Sequence, residues 1–399
     1  MARFDADILI VGGGIIGLTI ARELVENDHE NIFVIDKEED LGKHASGRNS
    51  GVLHAGIYYA PDSLKAKSCL NGNFLMQEYC KNNGLPLLET GKVIVTRNEA
   101  EIPTLEELHR RATVNGAKVE MINASQLQEV EPNAKTCQNA LYSHYTAVVD
   151  PKKVVLSLKK DLANSGKVEF LLNCNFRGIR GSTTALTTLG EIRFSRFINA
   201  AGAHCDRVAR PFGVGLNLRM IPFKGIYKKL VASKSHLVRG NIYPVPDIRN
   251  PFLGVHFTRN VHGDVYLGPT AIPAFGRENY GMLQGIDSEA LKILFQDAVL
   301  FFSNPEFRDV ALQEPRKYIS SYFYSNASKL VKELDPRDIE PAEKVGIRAQ
   351  LVNWDKKELV MDFLVAKKGE TVHILNPVSP AFTSSMDLAK KIVKDHFSS

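Results

Sequence analysis

Cysteine is scarce and unpatterned in this chain. Its five residues, Cys69, Cys80, Cys137, Cys174 and Cys205, are odd in number and at least 11 positions apart, which excludes a disulfide framework and a zinc knuckle. Long apolar runs are missing as well. The most apolar stretch, Ile8 to Ala21, is interrupted by four glycines and passes into Arg22 and Glu23, short of the roughly 18 unbroken apolar residues that a bilayer crossing needs. The segment before it, Ala2 to Asp7, holds two aspartates and one arginine where a secretory leader would be basic, so no leader is expected. Neither sign of charge is blocked. The 50 basic and 45 acidic residues are scattered and leave a net charge of +5, so no nucleic-acid partner is expected. Pro- or Ser-rich linkers, internal repeats and low-complexity tracts are also lacking. Together these absences suit the reducing cytoplasm, with a peripheral seat at the inner membrane as the alternative.

What is present is the composition of a globular enzyme, 44% hydrophobic and 24% charged. The length of 399 residues is about 2.7 times a rough 150-residue domain, so two connected domains are expected.

Asp5 to Lys37 is the most informative segment. Ile8-Leu9-Ile10-Val11 reads as a strand buried on both faces of a parallel sheet. It stops at Gly12-Gly13-Gly14-Ile15-Ile16-Gly17. Ile16, Ile20, Leu24 and Val25 then recur at helical spacing with Arg22 and Glu23 turned outward, and Ile32 to Ile35 forms a second buried strand ending at Asp36. The glycines divide the work between them. Gly12 permits the tight turn, Gly14 lets a diphosphate approach the backbone, and Gly17 lets the helix lie close to the sheet. The helix N-terminus offers free N–H groups and roughly +0.5 charge to phosphates. Asp36 is placed to accept from a ribose diol, and its charge would repel a 2′-phosphate. NADP is therefore disfavoured. FAD and NAD share the adenosine diphosphate half, so this unit alone does not separate them. No second GxGxxG occurs, and one bound nucleotide is expected.

The loop His44 to Tyr59, rich in small, hydroxyl and amide residues, supplies the next observation. With the N-terminal unit it resembles the D-amino-acid-oxidase-like FAD-dependent oxidoreductases, and its wording is similar to the L-2-hydroxyglutarate dehydrogenase/oxidase branch. The resemblance continues through Val148-Val149-Asp150-Pro151, which opens a helix, and Val168 to Phe176, similar to a strand that meets adenine. It continues through Phe197-Ile198-Asn199-Ala200-Ala201-Gly202 with Asp206, Pro222 to Gly225, Gly254 to Arg259, Leu267 to Ala271, Arg277 to Tyr280 and Ser379 to Ser385.

The implied fold class is α/β (α+β overall), a Rossmann-like FAD-binding domain interleaved with a mixed-sheet substrate domain. The FAD domain would take residues 1–90, 148–218 and 340–399, and the substrate domain 91–147 and 219–339, with substrate expected in the cleft between them. The cofactor-binding residues implied are Gly12, Gly14, Ile15, Ile16, Gly17, Asp36, Lys37, Ser46, Arg48, Asn49, Ser50, Gly51, Phe176, Ala201, Gly202, Asp206, Ser379, Pro380, Ala381 and Phe382. The last four would begin a helix whose N–H groups face the flavin edge where negative charge gathers on reduction. Ser288 to Phe302, with Leu291, Leu294, Phe295, Ala298, Val299, Phe301 and Phe302 at near-helical spacing, reads as a helix packed on a sheet in preference to one dipping into a membrane.

Oxidising a 2-hydroxy acid requires a hydride sink and a base. FAD is the implied sink. Histidine suits the base because its ordinary pKa is near ~6.5, and His54 and His256 both sit inside resemblance motifs. A dicarboxylate needs a cationic anchor, for which Arg277 is the first choice, followed by Lys224 and Arg259. Tyr58 would donate a hydrogen bond to a carboxylate. The expected reaction is oxidation of L-2-hydroxyglutarate to 2-oxoglutarate. The alternatives are oxidation of an amine such as glycine or sarcosine, and a non-catalytic flavin-binding scaffold. The electron acceptor is left open among oxygen, quinone and an electron-transfer protein, and a quinone would bring peripheral membrane contact with it.

Overall fold

The computed structural model describes residues 2–248 and 253–397. The chain divides into two compact units, Met1–Asn49 with Pro151–Pro222 and Arg348–Ser399, and Ser50–Asp150 with Phe223–Ile347. Residues 50–90, read from the sequence as part of the first domain, pack with the second unit.

The first unit is built on a parallel sheet. Strand β1 (Ala2–Val11) lies between strand β2 (Ile32–Ile35) and the strand Gly190–Asn199, parallel to both. Val168–Leu171 extends the sheet beyond β2, and Thr371–Ile374 extends it on the other side. Ile8 to Val11 and all of β2 are buried, as strands covered on both faces must be. Helix α1 (Ile15–Glu26) packs against the helices Pro151–Asn164 and Ala381–His396. That double cover explains why Ile15 to Ala21 are buried without a break, where the sequence shows only one apolar stripe. Phe197 and Phe212 lie 4.6 Å apart at the centre of the core, with Phe176 and Phe194 beside Phe197. Burial of each such side chain contributes about 1.5–3 kcal/mol.

The segment Val168 to Phe176 is not the single strand expected. It splits into Val168–Leu171 and Phe176–Arg180 because Asn173 adopts a positive φ of 52° and the turn is tied back to the Glu38 and Asp36 carbonyls. Phe176 is thereby turned into the aromatic core.

The second unit carries a mixed sheet. Val119–Asn123, Asn139–Ser143 and Lys92–Val95 run antiparallel, Lys92–Val95 pairs in parallel with Asn241–Pro244, and Phe257–Arg259 and Val265–Leu267 follow antiparallel. One face packs Val93, Val95, Ile242, Phe257 and Leu267 into a core. The other face packs Ile94 and Tyr243 against the helix Ile102–Val114 through Leu105 and Leu108.

The helix Ala290–Ser303 reverses its expected orientation. Ile293, Gln296 and Leu300 are its buried side chains, whereas Leu291 is 81% exposed, Phe295 65% and Phe302 80%. Both faces of this helix are apolar, so spacing alone does not say which turns inward.

Candidate active site

In the first unit, the residues singled out around the glycines converge at the C-terminal edge of the parallel sheet. Gly12 has φ +113°, and a Cβ there would collide with the Ala200 carbonyl oxygen. A Cβ on Gly17 would collide with the Gly12 carbonyl oxygen, whereas one on Gly14 would meet only the Ser46 hydroxyl at 3.0 Å. Two of the three glycines therefore let backbone meet backbone, and the third faces a side chain that can move. Gly14 is the N-cap of α1 and carries no capping side chain. The Ile15 N–H donates to Ser46 Oγ at 2.8 Å. Ile16 is the next residue of this buried turn.

Asp36 is held by two backbone donors, Gly13 N–H to Oδ2 at 2.8 Å and Glu38 N–H to Oδ1 at 3.0 Å. Each oxygen keeps acceptor capacity for a hydroxyl. Ala201 N–H donates to the buried Asn199 Oδ1 at 3.2 Å, and Asn199 Nδ2 donates to the Cys205 carbonyl at 2.7 Å, so Asn199 shapes the turn that carries Gly202. The helix Ala381–His396 takes Pro380 as its N-cap, directly after Ser379, and Phe382 is buried in its first turn. The Thr19 hydroxyl of α1 reaches the Ser385 carbonyl oxygen at 3.2 Å, which brings the starts of these two helices together. A glycine cradle, an oriented acid and two helix N-termini fit a dinucleotide diphosphate and its ribose.

Other expected cofactor residues are engaged locally. Lys37 pairs with Glu38 and approaches His44 Nε2 at 3.0 Å. Arg48 Nε donates to the Lys43 carbonyl at 2.9 Å, and Asn49 Nδ2 donates to the Ser46 carbonyl at 2.8 Å. Asp206 pairs with Arg210 at 3.3 Å. Ser50 and Gly51 belong to the second unit, where the Gly51 carbonyl accepts from Val149.

The second unit contains the titratable cluster. Pairing of Tyr243 with Ile94, and of Ile242 with Phe257, together with the alternation of strand side chains, puts Lys92, Tyr243 and His256 on one face. Tyr243 and His256 stack with ring centroids 4.0 Å apart. His256 Nδ1 lies 2.8 Å from the Gly254 carbonyl oxygen. A carbonyl can only accept, so Nδ1 carries the hydrogen and Nε2 keeps the lone pair. Burial pushes His256 down to about 4, with Lys92 adding to the shift and the Gly254 bond opposing it. His54 is held down to about 3, by burial first and then by Lys92 and His256. Both rings are neutral at pH 7.

The His54 backbone is positioned from the helix Leu64–Asn82. Buried Asn73 donates to the Leu53 and His54 carbonyls at 2.9 and 3.0 Å, and Cys69 Sγ donates to the His54 carbonyl at 3.3 Å. Tyr58 lies over Lys92, whose Nζ is 4.6 Å from the Tyr58 ring centroid and 5.0 Å from that of Tyr243.

The expected carboxylate anchors are occupied within the unit. Arg277 Nε donates to Glu289 at 2.7 Å, Lys224 Nζ to the Gly281 carbonyl at 2.7 Å, and Arg259 Nη1 to the Ser235 and Val238 carbonyls at 3.0 Å each. These cations fasten loops. Sequence reasoning does not single out Lys92, Asn73 or Asn199 as site residues; the one available signal is a lysine opening an otherwise apolar Lys92-Val93-Ile94-Val95 strand.

Comparison with known proteins points the same way. A family model described as FAD dependent oxidoreductase matches residues 7–394. The chain is 36% identical over 406 residues to L-2-hydroxyglutarate dehydrogenase, mitochondrial, of Caenorhabditis briggsae, covering 98% of this chain and 92% of that one. It is 34% identical to the protein of the same name from Homo sapiens, covering 98% and 88%. Among solved structures, FAD-bound L-alpha-glycerophosphate oxidase from Mycoplasma pneumoniae superposes with a TM-score of 0.76 at 21% identity, covering 98% of this chain and 94% of that one, a likeness of fold.

Proposed function

The chain belongs to the FAD dependent oxidoreductase family, and from that premise we propose that it oxidises L-2-hydroxyglutarate to 2-oxoglutarate. The observation that carries this reading is the end-to-end similarity to L-2-hydroxyglutarate dehydrogenases, 36% identity over 98% of the chain. In this reading Gly12, Gly14 and Gly17, the α1 N-terminus, Asp36, the Ala201-Gly202 turn and the start of the helix Ala381–His396 hold the dinucleotide. When bound, FAD supplies the two-electron acceptor that the oxidation needs.

The chain itself handles the proton. His256 takes it from the substrate hydroxyl at Nε2, the nitrogen left unprotonated by the Gly254 bond, while His54 lines the same cluster as a second neutral imidazole. The purified protein should be yellow, and anaerobic L-2-hydroxyglutarate should bleach its absorbance near roughly 450 nm. Bleaching by glycine or sarcosine with no response to the hydroxy acid would replace this substrate with an amine.

The electron acceptor in this reading is a membrane quinone. Among the described residues no helix is long and apolar enough to cross a bilayer, but the outward stripe Leu291, Leu294, Phe295 and Phe302 repeats at i, i+3, i+4 and i+11, and Met282 nearby in sequence is 93% exposed. Large apolar side chains on one helix face beside exposed Lys292, on a chain of net charge +5, suit the headgroup boundary of an anionic bilayer. The protein should sediment with phosphatidylglycerol-containing vesicles, and a Leu291→Ser, Phe295→Ser, Phe302→Ser variant should lose at least about tenfold in partitioning with unchanged melting. Self-association through this face in the absence of vesicles, abolished by the same substitutions, would overturn the membrane assignment.

A further inference from the structure

Lys92 is 1% exposed, and its Nζ has no hydrogen-bond partner among the described residues. No acid is paired with it there. Removing an ammonium from water is costly, and two flanking aromatic rings return only part of that cost, so the site as it stands does not stabilise the charge. The groups facing it are His54 and Tyr58 from the loop after Val52–Leu53, Cys69 from the helix Leu64–Asn82, and Tyr243 and His256 from the sheet. None is a carboxylate. A second donor is orphaned beside it, for the Tyr58 hydroxyl is buried and also lacks a partner among the described residues.

We infer that Lys92 and the Tyr58 hydroxyl form an anion subsite that binds one carboxylate of the substrate, next to His54 and His256. A carboxylate is acceptor-only with two oxygens, so a single group satisfies both orphan donors and supplies the missing counter-charge. His54 and Tyr58 are partly exposed as whole residues, while the Tyr58 hydroxyl and the Lys92 Nζ are themselves buried. The three cations that residue type favours as carboxylate anchors, Arg277, Lys224 and Arg259, already have partners. This inference rests on the reading of a carboxylate-bearing substrate given above and names the group that recognises it.

Protonation supplies a readout independent of turnover. Burial holds Lys92 down to about 7, so at pH 8 most of the free enzyme carries a neutral amine, and pairing with an anion draws a proton from solvent. Glutarate, a dicarboxylate with no hydroxyl to oxidise, is the probe. Titrated calorimetrically into the FAD-loaded enzyme at pH 8 in phosphate and in Tris, it should bind with uptake of about 0.9 proton. Lys92→Met should abolish the uptake and weaken glutarate by about 10- to 100-fold. Its melting temperature should be unchanged or higher, since a buried amine with no hydrogen-bond partner among the described residues is replaced by an apolar side chain of similar length; a lower one would point to a structural lysine.

The wild-type measurement stands without any variant: no binding, or binding without proton uptake, overturns the subsite. Uptake lost in Lys92→Met while L-2-hydroxyglutarate leaves the flavin oxidised keeps the subsite and removes the substrate assignment. Reduction by the substrate with no uptake on glutarate does the reverse.

Discussion

Gly17→Val is expected to yield a colourless and strongly destabilised protein. Its Cβ would collide with the Gly12 carbonyl oxygen, a backbone atom that cannot rotate aside, and Gly12 is itself pinned at φ +113° against Ala200. Either α1 lifts from the sheet or the turn opens, and both break the diphosphate cradle. The expected loss of stability is on the order of 4 kcal/mol or more. Gly14→Ala should behave differently. The methyl group meets only the Ser46 hydroxyl at 3.0 Å, so the fold persists with a melting temperature near that of the parent, but the methyl occupies the surface on which the diphosphate would lie. FAD affinity should fall by at least about tenfold. The ratio of absorbance near roughly 450 nm to that at 280 nm, with a thermal melt for each variant, checks the pair. A yellow, stable Gly17→Val protein would show that the nucleotide lies elsewhere.

His256→Gln should retain flavin and lose about 10²- to 10⁴-fold in kcat, with a much smaller change in KM. The pH profile carries the stronger test. A histidine lowered to about 4 is in its basic form throughout the neutral range, so kcat/KM, which reports the free enzyme, should show no acid limb near pH 6.5 and fall only on approach to pH 4. A solvated histidine would give its acid limb near ~6.5. Were His256→Gln to keep more than about a tenth of the parent's kcat while His54→Asn did not, the proton would belong to His54.

The nucleotide unit is legible in the sequence because its constraints are local. An apolar run, glycines at fixed offsets, one helical stripe and a terminal acid all fall within Asp5 to Lys37, and the physics that needs them acts between neighbours in sequence. Lys92 is illegible for the opposite reason. A lysine at the start of a strand reads as solvent-facing until the parallel partner Asn241–Pro244 is known, and that partner lies about 150 residues further on. Arg277 shows the same limit from the other side, since no spacing rule marks Glu289 as its acceptor. The helix Ala290–Ser303 is visible as a helix, but its two apolar faces make the inward one undecidable. Asn173 breaks the expected Val168 to Phe176 strand through a left-handed residue, in a turn held by the distant carbonyls of Asp36 and Glu38 and by Thr188.

The bond from Thr19 to Ser385 spans 366 positions and bears on the order of events during synthesis. When residue 347 has left the ribosome, every segment of the second unit exists, whereas the first still lacks Arg348–Ser399. Until the closing helix emerges, one flank of α1 stays wet and the nucleotide cradle is unfinished. The cofactor thus has nothing complete to load into before that helix is made, and a chain halted ahead of Ala381 lacks part of a site whose glycine turn lies more than 300 residues earlier.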